Sequence, residues 1–225
     1  SKKPLIILGE SFFDLKSSQN IFYLIKNYIN NNFKFDEEWN PLNILSTDAS
    51  TVGNIDLEVF NNKSGYNITL EKLQKNEFDL IFLIGQDNLN VNKKNEFIIY
   101  QGSHGDKGAE VADIILPGAA YTEQTAHYTN LEGKIQKAYK ASYPPGEAKE
   151  DWQIINELAE SMNNRKLFND KDELESSMMN FINLKNKNSY SETKNSINNN
   201  FENEKLKIEI KDYYFSNVVA RASKT

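Results

Sequence analysis

The residues best suited to chemistry lie between positions 102 and 134. The segment Gly102-Ser103-His104-Gly105-Asp106-Lys107-Gly108 places three glycines among polar side chains, directly after the apolar run FIIYQ. A loop of this kind, between a strand and a helix, can hold an anion on its backbone N–H groups. It lacks the Gly-Lys-Ser/Thr of a Walker A loop and the GxGxxG dinucleotide pattern. A tight turn that needs glycines for positive φ explains the same residues, and we favour that interpretation.

A metal site is not indicated by the sequence. The chain has two histidines, His104 and His127, and no cysteine, which excludes disulfides and thiolate ligands. Three or four ligands are usual, so a metal would have to recruit carboxylates such as Asp106, Glu110 or Glu123. Because their spacing repeats no known ligand pattern, we expect structural roles for both histidines and no metal bound by this chain.

Two carboxylates in a polar segment, Glu123 and Glu132, could divide the roles of general acid and general base. A catalytic carboxylate usually lies in a cleft and has a shifted pKa, and the sequence indicates neither feature for these two residues. We therefore expect both to form structural hydrogen bonds. Trp152 is interpreted as a core anchor, whose truncation to alanine would cost about 3–5 kcal/mol. We expect no catalytic residue, no cofactor-binding residue and no metal ligand in this chain.

The segments around these residues resemble a known family. The block FIIYQGSHGDKGAEVADIILPGAAYTEQTAHYTNLEGKIQ, from Phe97 to Gln136, is similar to the molybdopterin-oxidoreductase-like region of the large iron–sulfur subunit of respiratory complex I (NADH:ubiquinone oxidoreductase). Lys134 stands where the family's N-x-E-G-R pattern has arginine, which keeps the charge but loses bidentate geometry. Further matches, in the family's order, are KPLIILG (3–9), FLIG (82–85), PPGEAKEDW (144–152), DYYF (212–215) and ARAS (220–223). Residues 163–205 match weakly.

The resemblance implies a structural, non-catalytic part of the peripheral, NADH-oxidising arm of complex I. It would support the iron–sulfur-bearing half of the same subunit and contact other peripheral-arm subunits, as electrons pass from NADH to ubiquinone. The family's clusters are held by cysteines in that other half, and its subunit binds no molybdopterin, so no cofactor is expected here. The implied location is the matrix side of the mitochondrial inner membrane, or the cytoplasmic side in a bacterium.

An alternative stays open. In active molybdopterin enzymes the region equivalent to the glycine loop lines the cofactor domain, so the chain could be the cofactor-binding lobe of an active oxidoreductase such as a formate dehydrogenase. The sequence pattern YQG-x-HGD…GAAYTE is that of the complex I subunit, which favours the first interpretation. The chain starts at Ser1 and its first methionine is Met162, so we expect either a separately encoded fragment or an excerpt of a longer chain.

Composition is compatible with one α/β core in 225 residues. The net charge of −6 disfavours nucleic acid and anionic headgroups as primary partners. No apolar run approaches the roughly 20 residues that span a bilayer, so we expect a soluble or peripheral chain without membrane insertion. The abundance of asparagine is typical of an AT-rich coding sequence, which weakly favours a mitochondrial origin.

Apolar periodicity predicts the elements that would position these residues. Five strands are expected, at residues 5–8 (buried on both faces), 42–45, 78–84, 98–100 and 114–116. Helices are expected around 21–29, from a capping Thr69 to Gln74, at 106–112, and from Trp152 to Met162. The apolar face of the last helix would be Trp152, Ile155, Leu158, Ala159 and Met162. Alternating strands and helices predict a Rossmann-like α/β fold with a mostly parallel sheet and flanking helices, followed by an irregular C-terminal extension.

We divide the chain into four parts. Residues 1–162 form the molybdopterin-oxidoreductase-like α/β domain, and 163–184 form a helical extension carrying Leu174, Met178, Phe181 and Ile182. Residues 185–205 are an Asn/Lys-rich linker without the apolar surface needed for folding. Residues 206–225 are a docking segment, with a half-exposed strand at 206–210, aromatic residues at 213–215, and Arg221 expected to pair with a partner's carboxylate. The competing interpretation is that this segment folds back onto its own domain.

Overall fold

The computed structural model describes residues 3–33, 39–49, 51–59, 66–187, 201–203, 205, 214 and 217–223. The central element is a three-stranded parallel sheet of β3 (Leu80–Ile84), β4 (Phe97–Gly102) and β5 (Ile114–Pro117), in the order β3-β4-β5. Strands β1 (Ile6–Gly9) and β2 (Leu42–Leu45) form a separate parallel pair. The mostly parallel α/β class predicted from the sequence is confirmed, with the strands divided between two parallel sheets rather than one.

The core lies against the middle strand. In the sheet register Tyr100 of β4 stands opposite Leu83 of β3 and Ile115 of β5. Leu83, Ile98 and Tyr100 form the buried cluster. Partly buried side chains from β3, from the loop after it, and from helix α4 (Lys107–Val111) and its end complete the cluster: Ile81, Leu89, Val91, Ala109, Val111 and Ala112. The middle strand is therefore the best-buried part of the sheet, as expected for apolar runs covered by crossover segments.

The first strand differs from its prediction. Along β1 half-buried and exposed residues alternate, and Ile7 is 52% exposed. The expectation of burial on both faces is therefore wrong, because within the described residues one face of the β1–β2 pair carries no covering layer. The strand expected at 78–84 begins two residues later, at Leu80, and the strand at 42–45 has the predicted bounds.

The helices near the N-terminus follow the apolar spacing with one correction. Helix α1 (Ser18–Asn32) is preceded by a 3-10 helix (Glu10–Asp14) and has Ser17 at its N-cap position. Helix α2 spans Thr51–Asp56. Helix α3 (Tyr66–Gln74) begins three residues before Thr69, so the prediction of Thr69 as its cap is wrong.

Helix α5 (Asp151–Asn163) forms where predicted, but a different face is buried. Glu150 and Gln153 form a capping box at its start. The buried residues are Ile154 and Asn156, whereas Met162 is 73% exposed, so the predicted apolar face is wrong in part. Asn156 is buried because it binds the loop after the helix: its Oδ1 accepts hydrogen bonds from the backbone N of residues 167 and 168, at 2.8 and 3.0 Å.

Three further elements complete the fold. Helix α6 (Lys171–Lys187) extends three residues into the segment interpreted as a linker. The hairpin of β6 (Ala126–Thr129) and β7 (Ile135–Ala138), and the short helix α7 (Val218–Ala222), were not predicted. The strand expected at 206–210 and two of the three aromatic residues at 213–215 lie outside the described residues, and the division into four parts stays a prediction. Tyr214 is 78% exposed.

Candidate functional site

The glycine loop follows β4 and is filled by a side chain of that same strand. Tyr100 is 1% exposed, and its ring lies beneath the loop. A Cβ on Gly102 would stand 2.2 Å from the Tyr100 hydroxyl oxygen, and a Cβ on Gly108 would stand 2.7 Å from the ring and 2.6 Å from the carbonyl oxygen of Gln86. Real Cβ atoms do not approach other atoms so closely, so the two glycines are required for the ring to fit.

The glycines of this loop are thus explained by close approach rather than by backbone conformation. Gly102, Gly105 and Gly108 do not adopt positive φ, whereas Gly85, Gly133 and Gly146 do. The prediction of a strand-to-helix turn is confirmed, but its reason, a need for positive φ, is wrong.

The phenol of Tyr100 is held by two acceptors. Its hydroxyl contacts the carboxylate of the buried Asp87, which follows β3, and lies 2.8 Å from the carbonyl oxygen of His104. Burial, then the hydrogen bond to Asp87 and the charges of Asp87 and Asp106, hold the pKa of Tyr100 well above its usual range. Tyr100 therefore stays a neutral donor over the physiological pH range and is unsuited to act as a general base.

The anion position at the start of α4 is taken by a carboxylate of the chain itself. Asp106 is the N-cap, and its Oδ1 accepts from the backbone N of Lys107 at 2.9 Å. Its Oδ2 accepts from Nε of Arg221 at 2.8 Å. These hydrogen bonds, that from Arg221 first, lower the pKa of Asp106. Arg221 thus pairs within the chain, and the expectation that it pairs with a partner's carboxylate is corrected.

The two histidines lie on different elements. Nδ1 of His104 is 2.9 Å from Oγ of Ser103 in the glycine loop, whereas His127 lies on β6. In the described part of the chain, no group of three His, Asp or Glu side chains is placed to hold a metal ion. The expectation that this chain binds no metal stays a prediction.

The two glutamates lie at opposite ends of β6, and the extended backbone of this strand keeps them apart, so they do not form an acid/base pair. Glu123 precedes β6 and accepts a hydrogen bond from the backbone N of Ala120 at 2.9 Å. Glu132 is exposed in the β6–β7 turn. That turn is organised by Asn130, whose Oδ1 accepts from the backbone N of Glu132 and of Lys134, at 3.0 and 2.9 Å. With Gly133 at φ +80°, the N-L-E-G-K pattern is a hairpin turn.

Trp152 is half-buried rather than a core anchor, so that prediction is wrong. Its Nε1 donates to Oε2 of Glu150 at 3.1 Å, and its ring lines an open cavity of about 500 Å³ between β6, α5 and α6. The walls are mainly apolar and include Phe168, Met178 and Phe181.

Sequence reasoning missed the buried polar contact that joins the sheet to α5. Gln101 is fully buried at the end of β4, and its Nε2 donates to Oδ1 of Asp151 at 2.8 Å. Gly118 permits this approach, since a Cβ there would lie 3.0 Å from the same oxygen. A polar residue at the end of an apolar run was the only signal available in the sequence.

Parallel strands joined through crossover segments, with a glycine loop at the carboxyl end of the middle strand, define a Rossmann-like α/β domain. The chain belongs to the molybdopterin oxidoreductase family, whose model matches residues 1–161. A second model, which describes the C-terminal region of the G subunit of NADH-ubiquinone oxidoreductase, matches residues 173–225. The resemblance found in the sequence is confirmed.

The similar proteins are named as subunits of NADH-ubiquinone or NADH-quinone oxidoreductase. The chain is 37% identical to the NADH-ubiquinone oxidoreductase 75 kDa subunit of Reclinomonas americana, in an alignment of 238 residues that covers all of this chain and 33% of the relative. It is 41% identical over 174 residues (76% of this chain, 23% of the relative) to the mitochondrial 78 kDa subunit of Candida albicans. Identity to the G subunit of NADH-quinone oxidoreductase from Rickettsia bellii is 43% over 163 residues (72% and 23%). The chain spans about a third or less of these relatives, and their names do not favour the formate-dehydrogenase alternative.

The family model raises the question of whether the residues near the glycine loop fit molybdopterin, which carries a phosphate. The space that the loop encloses is filled by the ring of Tyr100. Carboxylates of Asp87 and Asp106 contact the Tyr100 hydroxyl and the start of α4, where they would repel an anionic group. These residues do not fit the group.

Proposed function

We propose that this chain is a structural, non-catalytic part of the peripheral, NADH-oxidising arm of respiratory complex I. It supports the iron–sulfur-bearing half of the same subunit while electrons pass from NADH to ubiquinone. The observation that carries the proposal is the glycine loop filled by Tyr100, which leaves the family's loop without space for a cofactor. The names of the relatives support the assignment to complex I.

The proposal includes the absence of a redox centre bound by this chain. Its two histidines lie on separate elements, its sequence has no cysteine to ligate an iron–sulfur cluster, and the loop is closed by Tyr100 and Asp87. The clusters, the flavin and the reaction itself belong to other parts of the assembly. What this chain contributes is a rigid body against which the cluster-bearing half is positioned.

Exposed apolar side chains on the strands support the other half of the subunit as the partner. Isolated exposed apolar residues are normal, but a contiguous set marks a surface that another chain segment covers. In the register of the β3-β4-β5 sheet, four exposed residues share one face: Leu80, Ile84, Phe97 and Ile114, each at least 44% exposed. Because the chain spans a third or less of its relatives, the remaining two thirds would supply that cover.

The proposed location is the matrix side of the mitochondrial inner membrane, or the cytoplasmic side in a bacterium. Among the described residues, no helix has the length and apolarity needed to cross a bilayer. The relatives comprise mitochondrial and bacterial proteins.

Tyr100→Phe tests the non-catalytic role in the assembled complex. Without the hydroxyl, the buried Asp87 loses its donor, which destabilises the chain by about 1–3 kcal/mol. We expect less assembled complex on a native gel, and unchanged NADH:ubiquinone turnover per assembled complex. Tyr28→Phe is the matched control, since that ring is 57% exposed.

Two results would overturn the proposal. The first is lower turnover per complex with assembly intact, because it would place the loop in the reaction. The second is stoichiometric molybdenum in the purified complex, measured by elemental analysis, since it would require a cofactor site.

A further inference from the structure

Three exposed tyrosines lie on two backbone segments that are hydrogen-bonded to each other next to the β6–β7 hairpin. The chain after β7 runs beside residues 121–125, with the backbone N of Ala141 and Ser142 donating to the carbonyl oxygen of Thr122, at 2.8 and 3.2 Å. This pairing displays Tyr121, Tyr139 and Tyr143, which are 59%, 76% and 79% exposed. With Lys140, which lies between the last two in the sequence, they are named the Tyr–Lys surface.

The backbone of this surface is fixed before any partner binds. The backbone N of Lys140 donates to Oγ1 of Thr125 at 3.3 Å. Beyond Tyr143 the chain continues through Pro144 and Pro145, whose rings restrict φ. A preordered backbone lowers the entropy cost of binding. Tyrosine is enriched in interface cores because it combines apolar area with a hydroxyl, so a rigid set of exposed tyrosines is suited to docking.

The charge of the surface differs in sign from that of the chain. Residues 133–149 contain four lysines and one glutamate, and together with the two glutamates that pair with Lys137 and Lys149 this region has a net charge of +1 in a chain of net −6. Lys137 and Lys149 pair with Glu175 and Glu157. Nζ of Lys140 lies instead 4.7 Å from the ring centroid of Tyr143. Within the described residues, no carboxylate neutralises this ammonium group.

We propose that the Tyr–Lys surface binds an acidic, extended segment of a neighbouring protein chain. Carboxylates of that segment would pair with the ammonium of Lys140 and accept hydrogen bonds from the phenol hydroxyls, while its backbone lies across the tyrosine rings. A duplex or an anionic membrane extends well beyond this small patch and would be repelled by the surrounding net negative charge. The surface has this chemistry whether or not the chain supports an iron–sulfur half.

A labelled peptide of alternating aspartate and valine is the probe for the 225-residue chain. We expect binding that weakens at high ionic strength, and Lys140→Glu to weaken it about tenfold, since attraction becomes repulsion. Tyr139→Ala combined with Tyr143→Ala should weaken binding by a similar factor at any ionic strength. Lys94→Glu makes the same charge change at another exposed lysine and should leave the affinity unaltered.

Several results would contradict the proposal. One is equal binding of a control peptide with asparagine at every aspartate position, since carboxylates would then be irrelevant. A second is that Lys94→Glu weakens binding of the acidic peptide as much as Lys140→Glu does, and a third is that the peptide does not bind at all. A fourth is that a DNA duplex, or vesicles containing phosphatidylserine, bind more strongly than the peptide. Circular dichroism of each variant shows whether a loss of binding reflects a loss of fold.

Discussion

At the scale of single residues, Tyr100 determines what the glycine loop can hold. Its side chain lies where an anion would otherwise approach the backbone, and Gly102 and Gly108 are the positions at which a Cβ would strike the ring. The same glycines that suggest a ligand site in the sequence therefore serve internal packing. Only the position of the ring distinguishes these two uses, because both place glycines between a strand and a helix.

Gly108→Ala should destabilise the chain by about 1–3 kcal/mol, because the added methyl group overpacks a closed site. The new Cβ would meet the backbone carbonyl of Gln86 at 2.6 Å as well as the ring of Tyr100, so a side-chain rotation alone does not relieve it. Urea unfolding followed by circular dichroism measures the difference. Gly105→Ala is the matched control: nothing lies within 4 Å of its Cβ, and its stability should equal or slightly exceed that of the wild type. Equal effects of the two variants would contradict this packing.

At the scale of elements, the short helix α7 contacts the α/β domain through the ion pair between Arg221 and Asp106. Arg221 is 115 positions from Asp106 in the sequence, and their side chains are about three quarters buried. Glu202 likewise returns to the N-terminal part, where its backbone N donates to Oγ of Ser17 at 2.8 Å and its carboxylate pairs with Lys16. These contacts favour the interpretation that the C-terminal part folds back onto its own domain.

The Arg221–Asp106 pair predicts a pH dependence of stability. The folded-state pKa of Asp106 is lowered, chiefly by the hydrogen bond from Arg221. A lowered carboxyl pKa contributes stability that is present above the unfolded-state pKa and is lost as pH falls through the folded-state value. Arg221→Gln should therefore reduce the free energy of unfolding at neutral pH, and the gap to wild type should narrow on acidification below pH ~4. Denaturant unfolding at a series of pH values measures it.

The control for that prediction is Arg165→Gln, an equal loss of charge at an exposed position. Its effect on stability should be small at every pH. If Arg221→Gln shows the same flat profile, α7 is not held to the glycine loop by this pair.

At the scale of the whole molecule, the sequence predicts the parts that depend on local apolar runs. The strands around Leu42, Ile98 and Ile114, and helices α1 and α5, are such parts. The β6–β7 hairpin was missed because its strands have four residues each and carry polar side chains. The packing of the Tyr100 ring against the glycine loop and the ion pair between Arg221 and Asp106 depend on the three-dimensional fold. The spacing of apolar residues in the sequence predicts strands and helices, but it does not predict which side chains will meet in the folded chain.

The segment after α6 gives a last prediction for the whole chain. Residues 188–200 contain only Tyr190 and Ile197 as large apolar residues, too little to offset an ordering cost of about 1–2 kcal/mol per residue. Replacing 188–200 with a Gly/Ser linker of equal length should leave the melting temperature nearly unchanged.

A longer replacement, through residue 203, also removes Glu202. Its carboxylate pairs with Lys16, and its backbone N donates a hydrogen bond to Oγ of Ser17, which is 4% exposed, so the replacement removes the ion pair and weakens this hydrogen bond. Stability should then fall by about 1 kcal/mol, the net contribution of one hydrogen bond. Scanning calorimetry of both variants measures the difference, and a large drop for the shorter replacement would show that 188–200 itself packs on the domain.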